Sequence, residues 1–159
     1  MIKVLLFDLS NTILFAKDKN YVGGLNALHN QLQATVPNFA FPDYFELDMN
    51  LLSMLQSLQT SYVMALFTSE TIQNSPAIKP TLEKVFNPII SAQTVGFHKT
   101  NPEAYKYIAN ILKHQPEEIF FVDDNQKNIQ AATQAGCKVH HYANTDSLHE
   151  VMQKLQSPG

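Results

Sequence analysis

The chain has a single cysteine, Cys137, so no intrachain disulfide can form, which agrees with a reducing compartment. It lacks a block of basic residues: Lys and Arg together number 11, are scattered, and leave a net charge of -3. Such a surface gives no long-range attraction to nucleic acid or to an anionic membrane. It also lacks a long apolar run. The first such run, Ile2 to Phe7, ends at Asp8 and is too short for a signal peptide or a membrane span. These absences predict a soluble protein of the cytoplasm. Neither a phosphate-binding glycine loop of the nucleotide-hydrolase kind nor a serine-hydrolase elbow is present, and there is no internal repeat or low-complexity tract.

What is present is ordinary globular material, 45% hydrophobic and 16% charged over 159 residues, enough for one core. The expectation is one domain, 1–159. Five short extended segments can be read: Ile2 to Phe7, Tyr62 to Phe67, Pro88 to Ala92, Ile119 to Asp123 and Lys138 to Tyr142. Between them lie helical patterns. Leu51, Leu52, Leu55 and Leu58 share one face of a helix over 47–58. Asn101-Pro102-Glu103 reads as a cap, a first-position proline and a first-turn acid, opening a helix to about Lys113. Asn128 to Ala135 is followed by Gly136 where a left-handed cap belongs, and a last helix runs from near Ser147 to Leu155.

Strands alternating with helices imply a three-layer α/β/α domain around a parallel, Rossmann-like sheet, since each parallel step needs a crossover. Residues 15–46 break the alternation. They hold Gly23-Gly24, a possible short helix over 25–34 and an aromatic stretch from Phe39 to Phe45, and read as a cap-like flap beside the site.

Ligands of such sheets bind at the carboxyl ends of strands. There stand Asp8, Ser10 and Thr12 after the first strand, Thr68 and Ser69 after the second, and Asp123 and Asp124 after the fourth, with Lys99 in a loop. Carboxylates converging beside hydroxyls and one lysine suit a hard cation together with a phosphate, and a carboxylate can itself attack phosphorus. His98 beside Lys99 is either a solvated loop histidine or a substitute acid or base. His140 and His141 point to opposite faces of a strand and cannot chelate one metal, and Cys137 with His140 lacks the further ligands of a zinc site.

These residues resemble the haloacid dehalogenase superfamily of hydrolases, most of whose members are magnesium-dependent phosphatases. Four motifs occur in order: FDLSNT at 7–12, LFTS at 66–69, Lys99 within GFHKTNPEAY, and FFVDDNQKNIQAATQAG at 120–136. The resemblance implies Asp8 as nucleophile and magnesium ligand, the Ser10 carbonyl as a second ligand, and Asp124 as a direct ligand with Asp123 behind it. It implies that Thr68 and Ser69 hold the phosphoryl group, that Lys99 neutralises Asp8 and the developing charge, and that Thr12 braces the loop. The substrate would be a small phosphorylated molecule or a phosphorylated partner.

The resemblance departs at Ser10, where phosphatases of the family carry a second aspartate that protonates the leaving group. Acid-base catalysis of that kind is worth on the order of 10²- to 10⁴-fold. Three readings therefore stay open: a weak phosphatase, a module that binds a phosphorylated ligand or partner without turnover, and, less favoured because the Asp123-Asp124 pair suits a metal, a 2-haloacid dehalogenase.

Overall fold

The computed structural model describes residues 1–156; the last three residues of the expected domain lie outside them. In chain order the strands are β1 (Val4–Phe7), β2 (Leu14–Ala16), β3 (Phe45–Leu47), β4 (Val63–Thr68), β5 (Ile89–Ser91), β6 (Ile119–Asp123) and β7 (Lys138–His141). The helices are α1 (Leu25–Thr35), α2 (Phe41–Tyr44), α3 (Met49–Ser57), α4 (Lys79–Glu83), α5 (Ala92–Val95), α6 (Pro102–Ile111), α7 (Gln126–Ala135) and α8 (Thr145–Gln156). None of them is long and apolar enough to cross a membrane.

Five strands form one parallel sheet in the order β5-β4-β1-β6-β7, with β1 at its centre. Every residue of β1 is buried, which its unbroken apolar sequence requires: a parallel strand covered on both faces has no solvent side for a polar residue. Alternate side chains then serve two cores. Leu5 and Phe7 pack with Leu51 and Leu55 of α3, Leu82 of α4 and Leu148 of α8. Val4 and Leu6 face the other way, toward Ala104, Tyr105 and Ile108 of α6 and Ala131 and Ala132 of α7. The result is the three-layer α/β/α sandwich expected of the alternation. From β1 the chain winds outward through β4 to β5, then returns through α6 to β6 on the other side of β1. The winding direction changes beside β1, and a crevice opens there at the carboxyl ends.

The region 15–46 is held by β2 and β3, which pair antiparallel with Leu14 opposite Leu47 and Ala16 opposite Phe45. Inside it the His29 ring sits edge-on among Phe39, Phe41 and Phe45, so the aromatic stretch makes a local core. Leu25, Phe41 and Phe45 join the larger core that contains α3. The bond from Ile72 N to Asn26 Oδ1 at 3.0 Å ties the region to the turn after β4, and Asp48 N to the Ile13 carbonyl at 2.8 Å joins the two segments that flank it.

Boundaries shift where a local bond competes. Leu47 belongs to β3 and α3 begins at Met49, because Asp48 caps it by accepting from Leu51 N at 3.0 Å. The α6 helix stops at Ile111, and Lys113 adopts a left-handed φ of 61° that ends it.

Asp48 joins three elements, since its Oδ2 also accepts from Thr145 Oγ1 at 3.1 Å at the start of α8. Asp48→Ala is expected to lower unfolding stability by about 1–2 kcal/mol, the usual worth of a helix cap, with Asp48→Asn recovering most of it. Urea denaturation compares the three proteins; an unchanged midpoint in the alanine variant would show that the cap carries no stability.

Candidate active site

The β1 ladder continues one residue past the strand, with Asp8 N donating to the Val122 carbonyl at 2.9 Å. The chain then folds on itself: the Leu9 carbonyl accepts from the amides of Thr12, Ile13 and Leu14, and Asn11 takes a left-handed φ of 62°. Asparagine tolerates that conformation better than most residues. This turn fixes Asp8 at the rim, and Thr12 Oγ1 faces Asp8 Oδ2 at 3.4 Å.

β6 delivers the second carboxylate. Asp123 is fully buried and fully engaged: Oδ1 accepts from Asn125 N at 2.8 Å, and Oδ2 accepts from Asn128 Nδ2 at 3.0 Å. Asn125 in turn caps α7 through Lys127 N. Asp124, next along, is half-buried, and its carbonyl accepts from His141 Nε2 at 2.8 Å.

Lys99 joins the two strand ends. Its ammonium donates to Asp8 Oδ1 at 2.6 Å, Asp123 Oδ2 at 2.9 Å and the Phe67 carbonyl at 2.9 Å. Three acceptors therefore match its three hydrogens. The rings of Phe67 and Phe121 lie 5.3 and 5.7 Å from the nitrogen, so the charge is also sheltered by aromatic faces. The Lys99 backbone is held by Tyr105 Oη, which donates to its carbonyl at 2.6 Å.

The electrostatics follow from burial. Asp8 is pushed well above the ordinary carboxylate range, first by burial, with the charges of Asp123 and Asp124 adding and Lys99 opposing. Asp124 is raised for the same first reason, with Asp123 again adding. Burial works against the Lys99 charge, but Asp8 and Asp123 together outweigh it and raise the group, so it stays an ammonium. One ligand oxygen from each of Asp8, Asp123 and Asp124 can be chosen so that all three lie within 4.8 Å of one another. Three carboxylates against one ammonium leave two negative charges over, in an all-oxygen donor set. That fits a hard dication such as magnesium.

Of the residues singled out from sequence, Asp8, Lys99, Asp123 and Asp124 meet at one point. Ser10 stands in the turn beside them. Thr68 is buried at the end of the neighbouring β4, with its hydroxyl 3.4 Å from the Glu70 and Ile90 carbonyls, and Ser69 after it is exposed. His98 is exposed with no side-chain partner among the described residues. Sequence reasoning passed over Tyr105 and the Phe67 carbonyl, and weighed His141 only as a metal chelator, not as the donor to the Asp124 carbonyl. Tyr105 had one signal, a tyrosine on the apolar face of α6 beside Ala104 and Ile108. A backbone acceptor leaves no trace in sequence.

The profile of the haloacid dehalogenase-like hydrolases matches residues 42–141, well over half of the chain. The matched stretch contains Thr68, Lys99, Asp123 and Asp124 and begins beyond Asp8 and Ser10. Phosphoglycolate phosphatase of Salmonella typhimurium is 36% identical over 72 residues, covering 42% of this chain and 29% of that protein. Bifunctional epoxide hydrolase 2 of Rattus norvegicus is 30% identical over 74 residues, covering 46% and 13%. The chain thus spans less than a third of the length of these curated relatives. Among solved structures, a HAD-like family hydrolase from Porphyromonas gingivalis superposes with a TM-score of 0.72 over 100% of both chains at 16% identity. A HAD family enzyme of Bacteroides thetaiotaomicron, in complex with magnesium and inorganic phosphate, gives 0.68 over 93% of this chain and 99% of that one at 15% identity. At such identities the likeness is one of fold.

The raised Asp8 has a consequence for stability. Its folded-state carboxyl titrates above the ordinary value of 3.8, so its stabilising contribution is complete below that value and is lost as the pH rises through the folded-state one. In chelating buffer, Asp8→Asn is therefore expected to be more stable than wild type at pH 8, with the gap narrowing toward pH 5. Urea denaturation at both pH values measures it, and a gap that widens on acidification would contradict the assignment.

Proposed function

The chain belongs to the haloacid dehalogenase-like hydrolases, and on that premise we propose that it hydrolyses phosphomonoesters of small molecules, with magnesium, through a covalent intermediate on Asp8. The observation that carries this reading is the contact of Lys99 Nζ with Asp8 Oδ1 at 2.6 Å inside a cluster of three carboxylates. The buried ammonium favours the ionised form of Asp8, the form that attacks phosphorus, against the burial that raises its carboxyl; an aspartate serving only as a turn residue needs no such partner.

Asp8 Oδ1 is committed to Lys99, which leaves Oδ2, faced by the Thr12 hydroxyl at 3.4 Å, to attack phosphorus. The Asp8 oxygen-phosphorus bond forms as the ester oxygen-phosphorus bond breaks, and the leaving alkoxide takes a proton. In the second step water adds to phosphorus, the acyl phosphate bond breaks, and Asp8 and inorganic phosphate are released. Lys99 stays beside Asp8 through both steps and offsets the charge that builds on the phosphoryl oxygens. Thr68 and Ser69, at the end of the adjacent strand, are the hydroxyls within reach of that group. Magnesium, held by Asp8, Asp124 and the Ser10 carbonyl with Asp123 behind them, would supply positive charge to the phosphoryl oxygens.

Ser10 offers no proton near neutral pH, so the leaving group must draw one from water and turnover on alkyl esters is slow. The same residue favours a second reading, a module that binds a phosphorylated ligand or partner without turning it over. The likeness to a phosphoglycolate phosphatase supports the phosphomonoester class; it covers too little of that enzyme to carry its substrate across.

Hydrolysis of p-nitrophenyl phosphate is expected to require magnesium and to vanish in Asp8→Asn, because an amide is a poor nucleophile. Activity that survives in Asp8→Asn rules out the mechanism, and phosphate binding with no turnover selects the binding module.

Ser10→Asp is expected to raise turnover roughly ten- to a thousandfold on alkyl phosphates, whose leaving groups need a proton, and less on the nitrophenyl ester. No rise in a folded, magnesium-bound variant would mean that another group already delivers the proton.

A further inference from the structure

A cavity of about 510 Å³ opens on the same rim, on the β5 side of Asp8, between the turn after β4 and the loop that carries Lys99. Ser69, Glu70, Gln93, Phe97, His98 and Lys99 bound it. Its size suits a small organic group. Resting on the reading of Asp8 as the phosphoryl acceptor, we propose that the substrate's leaving group occupies this cavity, and that Glu70 selects leaving groups that carry hydrogen-bond donors and no negative charge.

The charges that bound the cavity decide this. Lys99 is the one cation with a fixed charge among its lining residues, and its three hydrogens are already spent on Asp8, Asp123 and the Phe67 carbonyl. It has none left for a carboxylate or second phosphate on the leaving group. No guanidinium can substitute, because the chain contains no arginine. The uncommitted charge is the Glu70 carboxylate, half-buried and without an ion pair or hydrogen bond among the described residues.

Glu70 is also held in place by its own backbone. Its carbonyl accepts from Gln73 Nε2 at 2.7 Å and Ser91 Oγ at 2.7 Å, with Thr68 Oγ1 at 3.4 Å. These bonds fasten the turn to β4 and to β5 and leave the side chain at the cavity wall. A hydroxyl or ammonium entering the cavity meets an acceptor there, whereas an anion meets like charge and an unpaired carboxylate that it cannot satisfy. The Ser69 hydroxyl and Gln93 amide, both exposed at the wall, offer further neutral partners.

The test measures kcat/KM with magnesium for phosphoethanolamine, glycerol 3-phosphate and 3-phosphoglycerate, with p-nitrophenyl phosphate alongside. Wild type is expected to favour the first two over 3-phosphoglycerate by about tenfold or more, the size of one charged hydrogen bond. Glu70→Gln is expected to cut the ratio of phosphoethanolamine to 3-phosphoglycerate by about tenfold, and Glu70→Lys to reverse it. The backbone carbonyl that fastens the turn is kept in both variants. A wild-type preference for 3-phosphoglycerate, or a ratio that ignores the charge at position 70 while esters are still hydrolysed, overturns this inference alone. If none of the four esters is hydrolysed by wild type, the reading of Asp8 falls and the inference with it.

Discussion

A lysine ammonium buried between two carboxylates holds this rim together. The Lys99 side chain is 4% exposed, Asp8 8% and Asp123 0%, and withdrawing such ions from water costs several kcal/mol each. The cost is offset only when every hydrogen and lone pair finds a partner. Lys99 meets that condition with two carboxylates and the Phe67 carbonyl, and Asp123 meets it with Asn125 N and Asn128 as well. Removal of Lys99 would leave two buried carboxylates without their counter-charge, at a typical cost of about 3–5 kcal/mol. The ends of β1, β4 and β6 and the loop before α6 are thus bound to one another by a point contact as well as by sheet registry.

The same cluster is unbalanced by design of its charges. Three carboxylates share one ammonium, and both Asp8 and Asp124 are driven upward, first by burial and then by their acidic neighbours. A site in that condition binds protons or a cation, and its preference between them shifts with pH. A serine at position 10 limits the excess. A fourth carboxylate would bring a proton carrier to the leaving group and would also add repulsion beside Asp8. A serine there spares the cluster that repulsion and brings no carboxyl proton.

Legibility in the sequence followed how local each cause was. The segment Ile119 to Asp123 was readable to the residue because an unbroken apolar run ends in two acids, and so was the end of the helix after it, because Gly136 supplies the left-handed cap; its start lies at Gln126, two residues before the expected Asn128, because Asn125 caps it. The strands β2 and β3 were not readable: each has three residues, and they pair across an insertion that contains two helices. Their pairing is a long-range event with no alternation long enough to signal it. The site shows the same division. Asp8, Asp123 and Asp124 carry chemistry in their side chains and stood out at strand ends, as Lys99 did in the loop before α6. Tyr105 acts by a single bond to a carbonyl six residues earlier, and Glu70 through a backbone oxygen that gathers donors from two elements. Neither contact alters local composition.

The two sides of the crevice are built differently, and this bears on which of them discriminates among ligands. On one side, the region 15–46 meets the sheet layer through packing and a few bonds, and its ion pair between Lys19 and Glu46 is solvent-exposed and therefore weak. On the other, the turn carrying Glu70 is bonded to both β4 and β5 through one carbonyl. Recognition of a small group depends on partners whose positions are already fixed when it arrives, because ordering them afterwards consumes binding energy. The fastened wall meets that requirement, and its charge is negative. The proposed selectivity at this rim thus falls to a carboxylate on a fastened turn, and the proposed chemistry at Asp8 to a lysine whose own hydrogens are fully used.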